Sequence, residues 1–252
     1  ADCWRIIVHR FSLFLLGALS LHAEIKLSES ENYTQEEVRL YCRDLGEGWR
    51  EMGIRELFGS DAAFNPQYSY WSRDQAPSDN TVIGTGSEGD GGIIAMVGYS
   101  YYPKEKNITL SPPTKKIAAA CTDAPPSTVT KHYVRSVQGS IEDPSSGIVW
   151  HSLEATDKKM KYTFEKAKEH CESLFLQGRI WRLPTLDELY GIVDYRRYRP
   201  TADMTYFGPM MHRYYWTSDT LNDSEVYAVG FKLGSVATVS KKEEAYVRCV
   251  SD

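Results

Sequence analysis

The chain has no surplus of positive charge: 29 Lys and Arg stand against 34 Asp and Glu in 252 residues, a net of −5. Nucleic-acid binders neutralise phosphates with a basic excess, so that class is excluded. No apolar run reaches the roughly 20 residues that span a bilayer; the longest, Phe11 to Leu21, is about half that. Cysteine is scarce, and no Cys-x-x-Cys or Cys-x-x-His spacing occurs, which argues against structural zinc. The histidines His9, His22, His132, His151, His170 and His212 stand apart from one another. Gly-x-Ser-x-Gly, His-Glu-x-x-His and paired-carboxylate motifs are all missing. The glycine-rich stretch from Thr81 to Gly92 is not followed by Gly-Lys-Ser/Thr, so it reads as a surface loop rather than a phosphate cradle. An enzyme is not expected, nor is a cofactor.

Arg5, His9 and Arg10, then the apolar run, then His22-Ala23 before the polar Glu24, have the layout of a secretory signal peptide. Cleavage after Ala23 predicts an exported protein with no membrane span left. It also removes Cys3 and leaves four cysteines: Cys42, Cys121, Cys171 and Cys249. An even set in an exported protein points to disulfides.

Four cysteines allow three pairings, and an internal repeat selects one. Tyr33-Thr34-Gln35-Glu36 through Tyr41-Cys42 to Leu45 aligns with Tyr162-Thr163-Phe164-Glu165 through His170-Cys171 to Leu174, and Cys121 lies 79 positions after Cys42 where Cys249 lies 78 after Cys171. Between the cysteines, Trp49-Arg50 matches Trp181-Arg182, Arg55-Glu56-Leu57 matches Asp187-Glu188-Leu189, and Tyr70-Trp71-Ser72 matches Tyr215-Trp216-Thr217-Ser218. Bridges Cys42–Cys121 and Cys171–Cys249 then close one module each, and either loop is worth roughly 4 kcal/mol in the chain-entropy model. The expected layout is a signal peptide at 1–23, modules at 24–126 and 135–252, and a linker at 127–134 that follows the proline-rich Asp123 to Thr128. From 24 to 144 the chain carries 12 Lys and Arg against 18 Asp and Glu; from 145 to 252 it carries 15 against 15.

Thr34 with Glu37 three residues on predicts a capped helix to Leu45; its counterpart, capped by Thr163, runs from Phe164 to about Leu176. Thr185 with Glu188 predicts a second helix, while Gly53 starts the matching one without a cap. His132 to Gly139 opens the second module as a strand. Period-two alternation over Glu225–Lys232 and Glu244–Val250 predicts strands near the end. The fold class is α+β.

The second half is similar to a known family. Asp143-Pro144-Ser145-Ser146-Gly147-Ile148-Val149-Trp150, Trp181-Arg182-Leu183-Pro184-Thr185-Leu186-Asp187-Glu188-Leu189, Tyr214-Tyr215-Trp216-Thr217-Ser218 and Tyr246-Val247-Arg248-Cys249-Val250 resemble the Lcl C-terminal domain, named for a collagen-like bacterial adhesin and placed with C-type-lectin-like folds. The first half resembles it only as a divergent copy, with Glu51-Met52-Gly53 in place of Leu-Pro-Thr. The resemblance implies two tandem C-type-lectin-like modules, each with its first helix tied by a disulfide to its last strand, and an adhesin-like role in binding carbohydrate. Calcium-dependent sugar binding is not implied, because Glu-Pro-Asn, Gln-Pro-Asp and Trp-Asn-Asp are missing and Trp216-Thr217-Ser218-Asp219 offers one carboxylate.

Trp150, Trp181 and Trp216 are expected in the core. The candidate ligand loop is Arg196-Arg197-Tyr198-Arg199, the densest basic cluster, where guanidinium groups beside aromatic rings can grip an anion bidentately. Tyr195, Tyr198 and Tyr206 are the expected contact tyrosines, and Lys158, Lys159, Lys161, Lys241 and Lys242 add positive charge. The reading is an exported, periplasmic or cell-surface, non-catalytic binding module whose partner is an envelope or host-surface glycan, anionic, or a protein. The alternative is a structural subunit of a periplasmic or surface assembly.

Overall fold

A computed structural model describes residues 23–75, 98–112, 114–124, 132–137, 139–152, 160–197 and 199–252. The expected signal segment to His22 with Cys3, the glycine-rich stretch, most of the expected linker, Lys158, Lys159 and Tyr198 fall outside them. The fold mixes short helices with antiparallel sheets. It groups into two compact units that divide between residues 127 and 128, with 107–109 grouped with the second.

The first unit contains β1 (Ile25–Leu27), α1 (Gln35–Asp44), β2 (Arg50–Glu51), α2 (Ile54–Phe58), β3 (Tyr70–Gln75), β4 (Gly98–Tyr102) and β6 (Ala120–Thr122); residues of β5 (Asn107–Ser111) fall in both units. A small sheet has the order β1-β6-β2, and β3 pairs antiparallel with β4. At the start of α1 the Thr34 hydroxyl accepts from the Glu37 N–H and the Glu37 carboxylate from the Thr34 N–H, the capping box expected from the sequence. Cys42 on α1 is bonded to Cys121 on β6.

The second unit contains β7 (Val134–Arg135), β8 (Ile141–Glu142), β9 (Val149–Trp150), α3 (Phe164–Glu172), α4 (Leu186–Gly191), α5 (Met204–Phe207), β10 (Tyr214–Thr220), β11 (Glu225–Gly230), β12 (Ser235–Ser240) and β13 (Val250–Ser251). β10, β11 and β12 form an antiparallel meander, and β13-β9-β8-β7 a second sheet. The Asp143-to-Gly147 signature is the turn joining β8 to β9: Asp143 accepts from the Ser145 hydroxyl, and Gly147 takes φ +77°. Cys171 on α3 is bonded to Cys249 beside β13, and Trp150, Trp181 and Trp216 are buried.

Three local expectations are corrected. Helix α3 stops at Glu172, four residues early, because Gln177 and Gly178 adopt φ +58° and +63° in a tight turn that returns Trp181 to the core, where its Nε1 donates to Leu176 O. Thr163 sits at the N-cap but its side chain makes no capping bond; the first N–H of α3 donates instead to Lys241 O at 3.2 Å. Of the two alternating stretches, the first is the strand β11, whereas the second is not one continuous strand. Val226 to Gly230 are all buried, since β11 is flanked by β10 and β12 and α4 packs on it, while 245–250 bridge Tyr162, Tyr215 and Arg182 in turn and form only the two-residue β13. Likewise, only Val134–Arg135 is strand in the 132–139 segment.

Within each unit the same polar groups are satisfied the same way. Arg50 binds both oxygens of Glu56 at 2.8 and 2.6 Å, and Arg182 both oxygens of Glu188 at 2.8 and 2.9 Å. Glu56 accepts from the Gly53 N–H and Asp74 from the Ile54 N–H, just as Glu188 accepts from Thr185 and Asp219 from Leu186. The Trp71 indole donates to Tyr33 O and that of Trp216 to Tyr162 O. These bonds fill the orphan N–H groups at the starts of α2 and α4, so the Asp219 carboxylate is committed to a helix terminus. Burial pushes Glu56 and Glu188 up, but their arginine partners and the N–H groups of Gly53 and Thr185 pull harder, leaving both carboxyls below the ordinary range.

A cationic loop pinned by buried arginine

The chain between α4 and β10 carries the arginine cluster, and Asp194 organises it. Arg196 binds both Asp194 oxygens through Nε and Nη2 at 2.9 and 3.1 Å, and Arg197 reaches Asp194 through Nε at 3.2 Å and Asp203 through Nη2 at 2.9 Å. Asp194 is raised by burial and lowered more strongly by Arg196 and Arg197, so its carboxyl ends below the ordinary range. The two arginines are thus paired internally, with the Arg196 side chain still 79% exposed. Arg199, exposed and at φ +45°, completes the turn; Tyr198 falls outside the described residues.

Further along, Arg199 joins Arg213 and Lys232 around His212. Slight burial first, then the charges of Arg213, Arg199 and Lys232, hold the His212 imidazole below its ordinary value. From 194 to 213 the chain has four arginines and two aspartates. Arg199, Arg213 and Lys232 thus act together on His212. Neither Arg213 nor Lys232 stands out in the sequence, since they are distant from the cluster along the chain. Tyr195 and Tyr206 are not free contact rings. The Tyr195 hydroxyl donates to Gly234 O at 2.7 Å, and Tyr206 packs on Tyr133 with ring centroids 5.6 Å apart.

The loop is held from below. Arg248 is fully buried and donates to Phe207 O at 2.6 Å and His151 O at 3.2 Å. No carboxylate pairs with it among the described residues, and burial pushes its guanidinium down to about 10. Arg135 donates to Thr205 O at 3.0 Å and Tyr206 O at 2.8 Å. Two guanidinium groups thus meet the carbonyls at the C-terminal end of α5, where a helix presents acceptors without partners. Asp203 caps the other end and pairs with Arg197, so α5 links the buried arginine to the cationic rim.

Residues 139–251 match the Lcl C-terminal domain. No curated protein matches the chain. Within the matched stretch the motif residues have visible duties: Trp181 fills the core, Arg182 and Glu188 lock together, Thr185 and Glu188 cap α4, and Arg248 and Cys249 fasten α5 and α3. The motif is a folding framework, and the arginine rim lies on the connection it supports. Among the described residues no helix is long and apolar enough to cross a membrane, and no cluster of three His, Cys, Asp or Glu side chains could hold a metal. Of the other expected basic residues, Lys241 lies 5.4 Å from the Phe164 ring, which Lys168 also approaches, while Lys161 lies 5.7 Å from the Tyr246 ring.

Proposed function

We propose that the chain is a non-catalytic, exported binding protein of a bacterial envelope, adhesin-like, built from two C-type-lectin-like modules at 24–126 and 135–252. It takes an anionic glycan on the rim formed by Arg196, Arg197, Tyr198 and Arg199. The observation that carries this reading is the excess of cation over carboxylate on a loop pinned by Arg248 and Arg135. A rigid scaffold presenting more guanidinium than carboxylate groups suits sulfate or carboxylate, because little ordering remains to be done on binding. The two disulfides favour an oxidising compartment outside the cytoplasm. The shared polar framework and the disulfide spacings of 79 and 78 residues in the two units support descent from one module.

Heparin affinity and a glycan array test the reading. Retention that falls with salt is expected, and a triple change of Arg196, Arg197 and Arg199 to Gln should weaken it while the fold persists. Unchanged retention by the folded variant would remove the rim as the site. A second reading, a structural subunit that contacts other proteins, is favoured by Phe175 and Ile180, 97% and 88% exposed at the turn after α3. Co-purification of envelope proteins with no glycan retention, abolished on changing Phe175 and Ile180 to Ser, would support it instead.

A further inference from the structure

Away from the arginine rim, the second unit has an open recess of about 420 Å³ lined by residues of α3, the Arg182–Thr185 segment, β10 and the turn after β12. That volume suits one monosaccharide-sized group. Three cations line it: Arg182, already paired with Glu188 and Asp252, and two lysines from different elements. Lys168 lies one helical turn after Phe164, and Lys241 is fixed beside the same residue because the Phe164 N–H donates to Lys241 O. Their Nζ atoms stand 5.7 and 5.4 Å from the Phe164 ring centroid. Lys168 is drawn to Glu165 at 3.5 Å, whereas Lys241 has no carboxylate partner among the described residues. Ser218 and Thr220 on the edge strand β10 bring hydroxyls to the wall, Leu183 adds an apolar side chain, and Glu165 and Glu172 stand on the α3 side.

In the first unit the same place is filled differently. The position of Phe164 is held there by Gln35, whose amide donates to Ser72 O at 3.1 Å and crowds Gly98 so closely that a Cβ would sit 2.4 Å from it. The second unit instead brings two ammonium groups, hydroxyls and carboxylates to the walls of one space. Ammonium groups neutralise a carboxylate, while glutamates and hydroxyls accept from and donate to several vicinal hydroxyls. A purely basic patch would not discriminate in favour of a polyhydroxylated ligand.

We infer that this recess is a second ligand site that takes a single acidic sugar residue, its carboxylate between Lys168 and Lys241 and its hydroxyls against Ser218, Thr220, Glu165 and Glu172. The inference rests on the anionic-glycan reading and adds a carboxylate-selective subsite separate from the arginine rim.

The test is an amide NMR titration of the full mature chain with sodium glucuronate, with glucose and N-acetylglutamate as controls, beside the heparin column. Glucuronate should shift the amides of Lys168, Ser218 and Thr220, with glucose and N-acetylglutamate giving much weaker shifts. The Lys168→Gln, Lys241→Gln double variant should bind about tenfold more weakly for each ammonium group removed. The Ser218→Ala, Thr220→Ala variant, which leaves both cations in place, should also bind more weakly. Equal shifts with N-acetylglutamate would mean a general carboxylate site and overturn the sugar assignment. Shifts confined to 194–213, or none at all, with heparin retention intact, would overturn the recess while leaving the proposed function standing. Loss of both would remove both.

Discussion

The two units solve the same folding problem and then diverge at three places. Each ties its first helix to a late strand through one disulfide and caps its second helix with a glutamate held by an arginine. Each also hangs an indole from the carbonyl before the first helix. The connection after the second helix occupies 59–69 in the first unit and 192–213 in the second. The residue before the last cysteine is Ala120 in one and Arg248 in the other, and Gln35 stands where the second unit has Phe164. All three differences serve the second unit: Arg248 fastens the longer connection, and Phe164 floors the recess. Framework and ligand chemistry are therefore carried by different residues, so one can be changed without the other.

The largest expected effect breaks the frameworks equally. Changing Cys42 and Cys121 to Ser, or Cys171 and Cys249 to Ser, should each cost roughly 4 kcal/mol by the chain-entropy model, because the closed loops of 79 and 78 residues are nearly the same. Denaturant unfolding of both variants measures it, and a several-fold disparity would show that the bridges are not equivalent. Next, Arg248→Ala removes a buried side chain and orphans the Phe207 and His151 carbonyls, at a cost of about 3 kcal/mol. Hydrogen exchange should show the drop in protection concentrated in 199–213; a uniform drop would mean that Arg248 supports the core rather than the loop.

A smaller effect sharpens the comparison. Glu56→Gln should destabilise by about 2 kcal/mol, as for hydrogen bonds to charged groups, and Glu188→Gln by less, since Arg182 keeps Asp252 at 2.6 Å. Both carboxyls titrate below their unfolded value of 4.5, so their contribution is present above that pH and is lost as acid carries the protein down through the folded values. Unfolding measured from pH 6 to 3 should therefore show an acid limb that each variant flattens. The smallest effect is at His212. An anion on the rim offsets Arg199, Arg213 and Lys232, so heparin should raise the His212 titration followed by imidazole NMR, with no rise for a neutral glycan.

The cysteine pairing, the capping boxes at Thr34 and Thr185 and the buried tryptophans are all legible in the order of residues. The caps span three residues, and a repeated cysteine spacing needs only counting. Thr163 takes the N-cap position without the capping bond, and the adjoining Phe164 N–H is met by Lys241, a residue distant in sequence. The strand near Glu244 misleads because its alternation reflects three successive partners rather than one ladder. In the arginine cluster, local density is visible, but Asp194 as its shared counter-ion and Arg213 and Lys232 as its reinforcement are not.

Two domains' worth of core, oxidised cysteines and helix starts at Thr34 and Thr185 follow from the sequence alone, since hydrophobic spacing and side-chain-to-backbone bonds act over a few positions. Which charges pair with one another, and whether Lys168 and Lys241 share a ring, follow only from closure of the chain. Arg248 reaches His151 across 97 residues and Phe207 across 41, and such contacts form once the core has excluded water and left buried acceptors with no other partner.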